Sequence, residues 1–268
     1  MQGPDEVSVS ALIRQSLDSA FEGEDAVGDP RSFAAWEAIA TLARRADEQV
    51  IKAAATLLGS DDAWHRARGA NILGLFPTAS WADARFTLLS DALRSEADER
   101  AIPSLIHSIG HLHNPRILPR FLELGQHPNR EVRLAVAMSI MADWGHQAVA
   151  ALIGLCADEW GGVRDWATFK FRTSDVDSPE IRQCIRSRLQ DPEPAVRAEA
   201  ICALARRRDL TCLEQLLDDL GRLDDLDDES CHLEAACHLL GCGLDDERST
   251  DELRADLMRM YRKAKTRE

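Results

Sequence analysis

Three segments decide the fold: EVRLAVAMSIMAD (Glu131–Asp143), GVRDWATFKFRT (Gly162–Thr173) and AVRAEAICALARR (Ala195–Arg207). Each opens on Val-Arg, places alanine three or four residues later, and carries a bulky residue one turn on. Taking the arginine as a register mark gives Arg133, Arg164 and Arg197. The frame extends in both directions. Arg66 opens RARGANILG, and Ala35 in AWEAIATLA is the most degenerate copy. Ile102 in IPSLIHSIG and Leu233 in LEAACHLLG join through their glycines, Gly110 and Gly241. Successive marks lie 31 to 36 residues apart. That is room for two helices of about three to four turns and two short loops. Repetition at this period is the signature of stacked helical units.

Between the marks lie the partner helices, read near residues 8–21, 47–59, 82–94, 115–125, 146–157, 179–190 and 210–221, with a final helix from Thr250. Ser249 and Glu252 have the capping-box spacing. Ser178-Pro179 and Asp191-Pro192 are good starts, because proline in the first turn loses no needed hydrogen bond. No helix pair of this length buries its apolar face alone, so stability has to come from neighbouring pairs.

Several marks are preceded at four residues by an acid or amide: Asp62, Asp98, Asn129, Glu193 and Glu229. Together with the Val-Arg-x-x-Ala frame, this pattern resembles the HEAT repeat. The closest resemblance is to the short bacterial kind related to phycocyanobilin-lyase repeats. The stretch from Val163 to Asp209 is similar to bacterial HEAT proteins of unassigned function, and the resemblance covers about residues 8–246. It implies an all-α fold, a right-handed α–α superhelix of about seven helix pairs. The expected organisation is one solenoid over residues 1–268, with an N-terminal cap over 1–30 and a C-terminal capping helix over 247–268. The resemblance also implies that Arg66, Arg133, Arg164 and Arg197 form a ladder to acids of neighbouring repeats. It says little about function, since this architecture hosts many jobs.

Composition narrows the classes. Hydrophobic residues make up 45% and aromatics 5%, a balance that favours helices over strands. The formal charge of −14 argues against a broad nucleic-acid surface, which must neutralise phosphates, and suits a basic partner. Seven cysteines without regular spacing do not describe a disulfide framework, so a reducing compartment is expected. The start, MQGPDEVSVSALIRQ, does not read as a signal peptide, and no stretch approaches the roughly 18 apolar residues that span a membrane. The expected location is the cytoplasm.

In HEAT solenoids the second helices line the concave side, and helical geometry sorts their positions. Residues just before a mark, and three and seven after it, face the core; Val163, Ala167 and Phe171 are one such set. Positions one, two and five after the mark face the concave surface. The position-five row reads Ala40, Asn71, His107, Met138, Phe169, Cys202, His238; the position-two row reads Glu37, Arg68, Ser104, Ala135, Trp166, Glu199, Ala235. Trp166, Phe169 and Met138 form the candidate binding centre, flanked by Arg68, Asn71, His107, His111 and Arg172. Tryptophan and arginine around a desolvated centre are what binding hot spots are made of. Packing of Trp166 and Phe169 between layers is the competing reading.

No catalytic constellation emerges. His107 and His111, four apart, share a helix face but lack the intervening glutamate of an H-E-x-x-H site. Cys231, Glu234 and His238 share a face without paired C-x-x-C spacing. The iron-dependent deoxyhypusine hydroxylases, a HEAT family, hold metal through His-Glu dipeptides, and none occurs here. In the HEAT-like alkylpurine DNA glycosylases, an aspartate and aromatics lie in a basic groove. Asp165-Trp166 superficially fits, but the charge does not, and Asp165 reads as a helix-surface residue. The acids Asp218, Asp219, Asp224, Asp225, Asp227, Asp228 and Glu229 read as a solvated turn. The expected function is a non-catalytic scaffold or adaptor that binds a protein or peptide on its concave face, without cofactor, metal, membrane or nucleic acid. The alternative is a HEAT-type enzyme, a bilin lyase or a glycosylase-like protein.

Overall fold

A computed structural model describes residues 7–18, 30–77, 79–221, 229–243 and 248–266. Among these the regular structure is entirely helical. Two compact units emerge, Met1–Ile140 and Met141–Glu268, where the sequence reads as one solenoid. The first holds α1 (Val9–Leu17), α2 (Pro30–Arg45), α3 (Glu48–Leu58), α4 (Ala63–Gly74), α5 (Ala82–Ser95), α6 (Ile102–Gly110), α7 (Leu118–Leu124) and α8 (Arg130–Ser139). The second holds α9 (His146–Leu155), α10 (Gly161–Arg172), α11 (Pro179–Arg188), α12 (Pro194–Arg206), α13 (Leu213–Leu220), α14 (Glu229–Leu240) and α15 (Thr250–Lys265).

Helices pair in chain order, α1 with α2 through α13 with α14. Second helices also stack: α2 on α4, α4 on α6 and α6 on α8 in the first unit, α10 on α12 and α12 on α14 in the second. The seven expected pairs are therefore present, and α15 closes the second unit against α13 and α14. Its Ser249–Glu252 capping box forms as the spacing predicts. No helix among the described residues is long and apolar enough to cross a membrane.

The core follows the repeat frame. The sets Ala101/Leu105/Ile109, Val132/Val136/Ile140, Val163/Ala167/Phe171 and Val196/Ala200/Leu204 are all fully buried. Each occupies positions −1, +3 and +7 about its mark, one face of a helix. A buried side chain of this size contributes roughly 1.5–3 kcal/mol.

The marked arginines make one contact four times. Nη1 of Arg66 donates to the carbonyls of Ser60 and Asp61, and Nη1 of Arg133 to those of His127 and Pro128. Arg164 does the same to Asp158 and Glu159, and Arg197 to Asp191 and Pro192. Every acceptor lies six or five residues upstream, in the turn that joins the two helices of a repeat. Arg66 and Arg164 also reach the next repeat. Arg66 forms a forked pair with Glu96 at 2.6 and 2.8 Å. Arg164 forms one with Asp191 at 2.8 and 2.7 Å. Asp191 also caps its own turn by accepting the Glu193 N–H. Arginine suits this work because its planar fork satisfies carbonyls and a carboxylate together.

Several features lie outside the repeat frame. Arg85 is buried in the first unit, donating to the carbonyls of Leu73, Gly74, Pro77 and Ser80 at the end of α4. A cation there complements the helix C-terminus. At Gly110 a methyl group would fall 2.7 Å from Ser139 Cβ, so only glycine allows α6 and α8 to approach this closely. Gly241 ends α14 with φ +71°, the left-handed cap position. One cysteine pair is brought together by the stacking: Cys202 in α12 lies against Cys231 in α14 across a Cα separation of 6.4 Å, and the Cys202 thiol donates to the Cys231 carbonyl.

Arg164 and Asp191 are both buried, with side chains 8% and 1% exposed. Removing one partner of a buried pair strands the other, at about 3–5 kcal/mol. Arg188 also touches Asp191, so Arg164→Ala is expected near the lower end of that range. Urea denaturation of the variant beside wild type measures the loss.

Candidate functional site

The residues singled out from the sequence fall into two sets, one in each unit. In the first unit Asn71, His107 and Met138 are half-buried and His111 is exposed at the end of α6. Arg68 departs from the expectation. It is 4% exposed and directs Nε 2.7 Å to the carbonyl of Ser16 in α1, so it holds two helices together instead of facing outward. Burial lowers its pKa to about 10.

The second unit holds the more elaborate set, on α10, α12 and α14. Helical spacing puts Asp165, Phe169 and Arg172 at i, i+4 and i+7 on one face of α10, with Trp166 beside them. Trp166 and Phe169 are half-buried and meet edge-to-face, ring centroids 5.3 Å apart. The Arg172 guanidinium lies over Phe169, 5.9 Å from the ring centre. Neither aromatic is sealed in the core, although Phe171 two residues on is fully buried.

Arg172 ties three second helices together. Its Nη1 donates to Glu199 of α12 at 3.1 and 3.3 Å, and its Nη2 to Glu234 of α14. Glu234 also contacts His238 Nε2 at 3.3 Å. Burial alone would lower the Arg172 pKa, but the two carboxylates raise it overall.

The carboxyls are less well served. Asp165 departs from its reading as a helix-surface residue: its Oδ1 is buried without a hydrogen-bond partner. Desolvation, with some repulsion from Asp191, pushes its pKa up. Glu199 is pushed up to about 7, first by desolvation; Arg172 pulls it down, and Asp165 and Glu234 raise it. On the same helix Lys170 directs Nζ to the Met141 sulfur at 3.8 Å, not to a carboxylate. The cluster thus sets three carboxyls against one guanidinium in a poorly hydrated place.

The helical frame had placed Glu199, Asp165 and Glu234 on this face, at positions two, one and one after their marks. Their burial was the part it could not supply. Cys202, expected on the same face, is buried against Cys231. Cys231 of the Cys231/Glu234/His238 constellation is thus buried in the stack, and its glutamate is engaged by Arg172. His232 is buried against Asp219, at 3.2 Å. Residues 222–228 of the acidic turn lie outside the described residues.

Residues 86–170 match the family model described as HEAT repeats. This stretch carries HEAT repeats. Two relatives, Protein YibA of Escherichia coli strain K12 and Protein YibA of E. coli O157:H7, are each 34% identical over 119 residues. Those matches span 43% of this chain and 42% of the relatives' own length. The X-ray structure of E. coli YibA superposes with a TM-score of 0.66 at 23% identity, covering 97% of this chain and 100% of that one. A designed armadillo-repeat protein in complex with the peptide (KR)4 gives a TM-score of 0.44 at 14% identity, over 72% of this chain and 98% of the other. At 23% identity the likeness to the YibA structure speaks to the fold alone.

The raised Glu199 pKa makes a sign prediction. A carboxyl that holds its proton more tightly folded than unfolded stabilises the fold below its unfolded pKa. That contribution is lost as pH rises from about 4.5 to about 7. Wild-type stability is expected to fall more steeply across this window than that of Glu199→Gln, which cannot titrate. Chemical denaturation of both at stepped pH measures the difference in slope.

Proposed function

We propose that this HEAT-repeat protein is a non-catalytic scaffold or adaptor that binds another protein or a peptide through its second-helix face. The site is centred on Trp166 and Phe169. The observation that carries the reading is the half-buried aromatic pair with Arg172 over one ring. Aromatic and guanidinium groups held partly dry by their neighbours supply much of the affinity in protein interfaces. Here they are also preorganised, because Arg172 is locked between Glu199 and Glu234. A pre-locked side chain loses little entropy on binding.

In the first unit Asn71, His107, Met138 and His111 supply a separate set of contacts in this reading, and Arg68 is left to its structural role. No membrane and no cofactor enter it, and the proposed compartment is the cytoplasm.

One observation touches the enzymatic alternative. Asp165, half-buried with one carboxyl oxygen sealed off, stands next to Trp166, the pairing a glycosylase-like site requires. Glu199 and Glu234 stand beside it, however, and a surface that holds a nucleic-acid backbone has to be electropositive. The local charge favours a protein or peptide ligand. The bilin-lyase alternative gains no support from the arrangement of side chains.

The test is affinity purification from the native host, wild type beside Trp166→Glu, with bound proteins identified by mass spectrometry. The expected result is a stoichiometric partner on the wild type that is lost from the variant, whose helicity by circular dichroism is unchanged. A partner retained equally by both would remove Trp166 from the site. No retained protein on either would count against the adaptor reading.

A further inference from the structure

The face built on Trp166 carries more acid than its own bases satisfy. Asp165, Glu199 and Glu234 come from three consecutive second helices, α10, α12 and α14. Arg172 bonds two of them, Glu199 and Glu234. His238 contacts Glu234, and Lys170 turns to Met141. Asp165 keeps a buried oxygen without a donor. All three carboxyls are half-buried, and the unmade hydrogen bond at Asp165 Oδ1 costs free energy. An aromatic pair lies on the same helix one and four residues on, with the flat π-faces that guanidinium groups favour.

We propose that this cluster is the recognition site for a basic segment of the partner protein, in which an arginine side chain stacks on Trp166 and donates to Asp165 and Glu199. The inference rests on the reading that the second-helix face binds a protein or peptide, and it names the chemistry of that ligand. Charge complementarity selects the occupant. An arginine presents a planar fork of donors to carboxyls that Arg172 alone serves incompletely, and its planar group stacks where an ammonium does so less well. The chain as a whole, at −14, favours the approach of a basic segment.

A second consequence separates this site from general attraction between a cationic peptide and an acidic protein. Near neutral pH part of the Glu199 population holds a proton. A guanidinium placed against the cluster favours the ionised form, so binding there expels protons. Attraction to exposed acids that are already ionised expels none.

The experiment is isothermal titration calorimetry at pH 7 in two buffers of different ionisation enthalpy. The probes are the peptide Arg-Gly-Arg-Gly-Arg and its lysine and glutamate counterparts. The expected result is that the arginine peptide binds more tightly than the lysine one, with release of a fraction of a proton, while the glutamate peptide gives no heat. The double variant Asp165→Asn/Glu199→Gln is expected to weaken the arginine peptide at least tenfold and to abolish the proton release. Glu214→Gln/Asp251→Asn removes the same charge from exposed positions on α13 and α15, and is expected to change the affinity less than twofold. Equal weakening by both double variants, or binding without proton release, would overturn the proposal. So would the absence of any binding by the arginine peptide. If Trp166→Glu still loses the native partner in that case, the binding face stands and only its preference for a basic ligand falls. If the native partner is unaffected as well, both fall.

Discussion

The turn between the two helices of a repeat is the constraint on which the rest depends. Its backbone carbonyls point away from either helix and would be left unpaired as the helices close on each other. One arginine, set at the same place in four repeats, satisfies two of them. Because the acceptors always lie six and five residues upstream, the contact fixes the rotation of the second helix relative to its turn. Once that rotation is set, the residues at −1, +3 and +7 point into the stack, while Asp165, Trp166 and Phe169 at +1, +2 and +5 of their repeat stay half-buried. The candidate face is the other side of the same decision that builds the core.

The repeat frame was legible because it is local. A helix has one periodicity, and the Val-Arg mark repeats in phase with it, so the buried sets around Arg133, Arg164 and Arg197 follow from spacing alone. What the sequence withheld depends on which helix lies opposite. Arg68 sits at a face position by phase but reaches Ser16, 52 residues earlier, because α1 lies against α4. Asp165 occupies an outward position, yet packing around α10 closes over one of its oxygens. Cys202 and Cys231 have no telling spacing, and only the stacking of α12 on α14 makes them partners. Arg85 is harder still, since nothing local marks it as the cation that closes the end of α4.

The candidate site illustrates how little polar chemistry a helical stack needs to become selective. Second helices expose mostly small or half-buried residues, so one aromatic pair and one three-helix ion network dominate the character of a whole unit. The network does two things at once. Arg172 bridges α10 to α12 and α14, which stiffens the stack, and in doing so it leaves the surrounding carboxyls under-compensated. The side chains that stiffen the stack are therefore also those of the candidate site.

The close approach of second helices at glycine couples distant positions. A Cβ on Gly74 would meet Ser108 at 2.7 Å, and one on Gly110 would meet Ser139 at 2.7 Å. Neither glycine is free to vary unless the serine facing it, on the next second helix, or the spacing of the two helices changes with it. The pairs Gly74/Ser108 and Gly110/Ser139 therefore have to evolve as pairs.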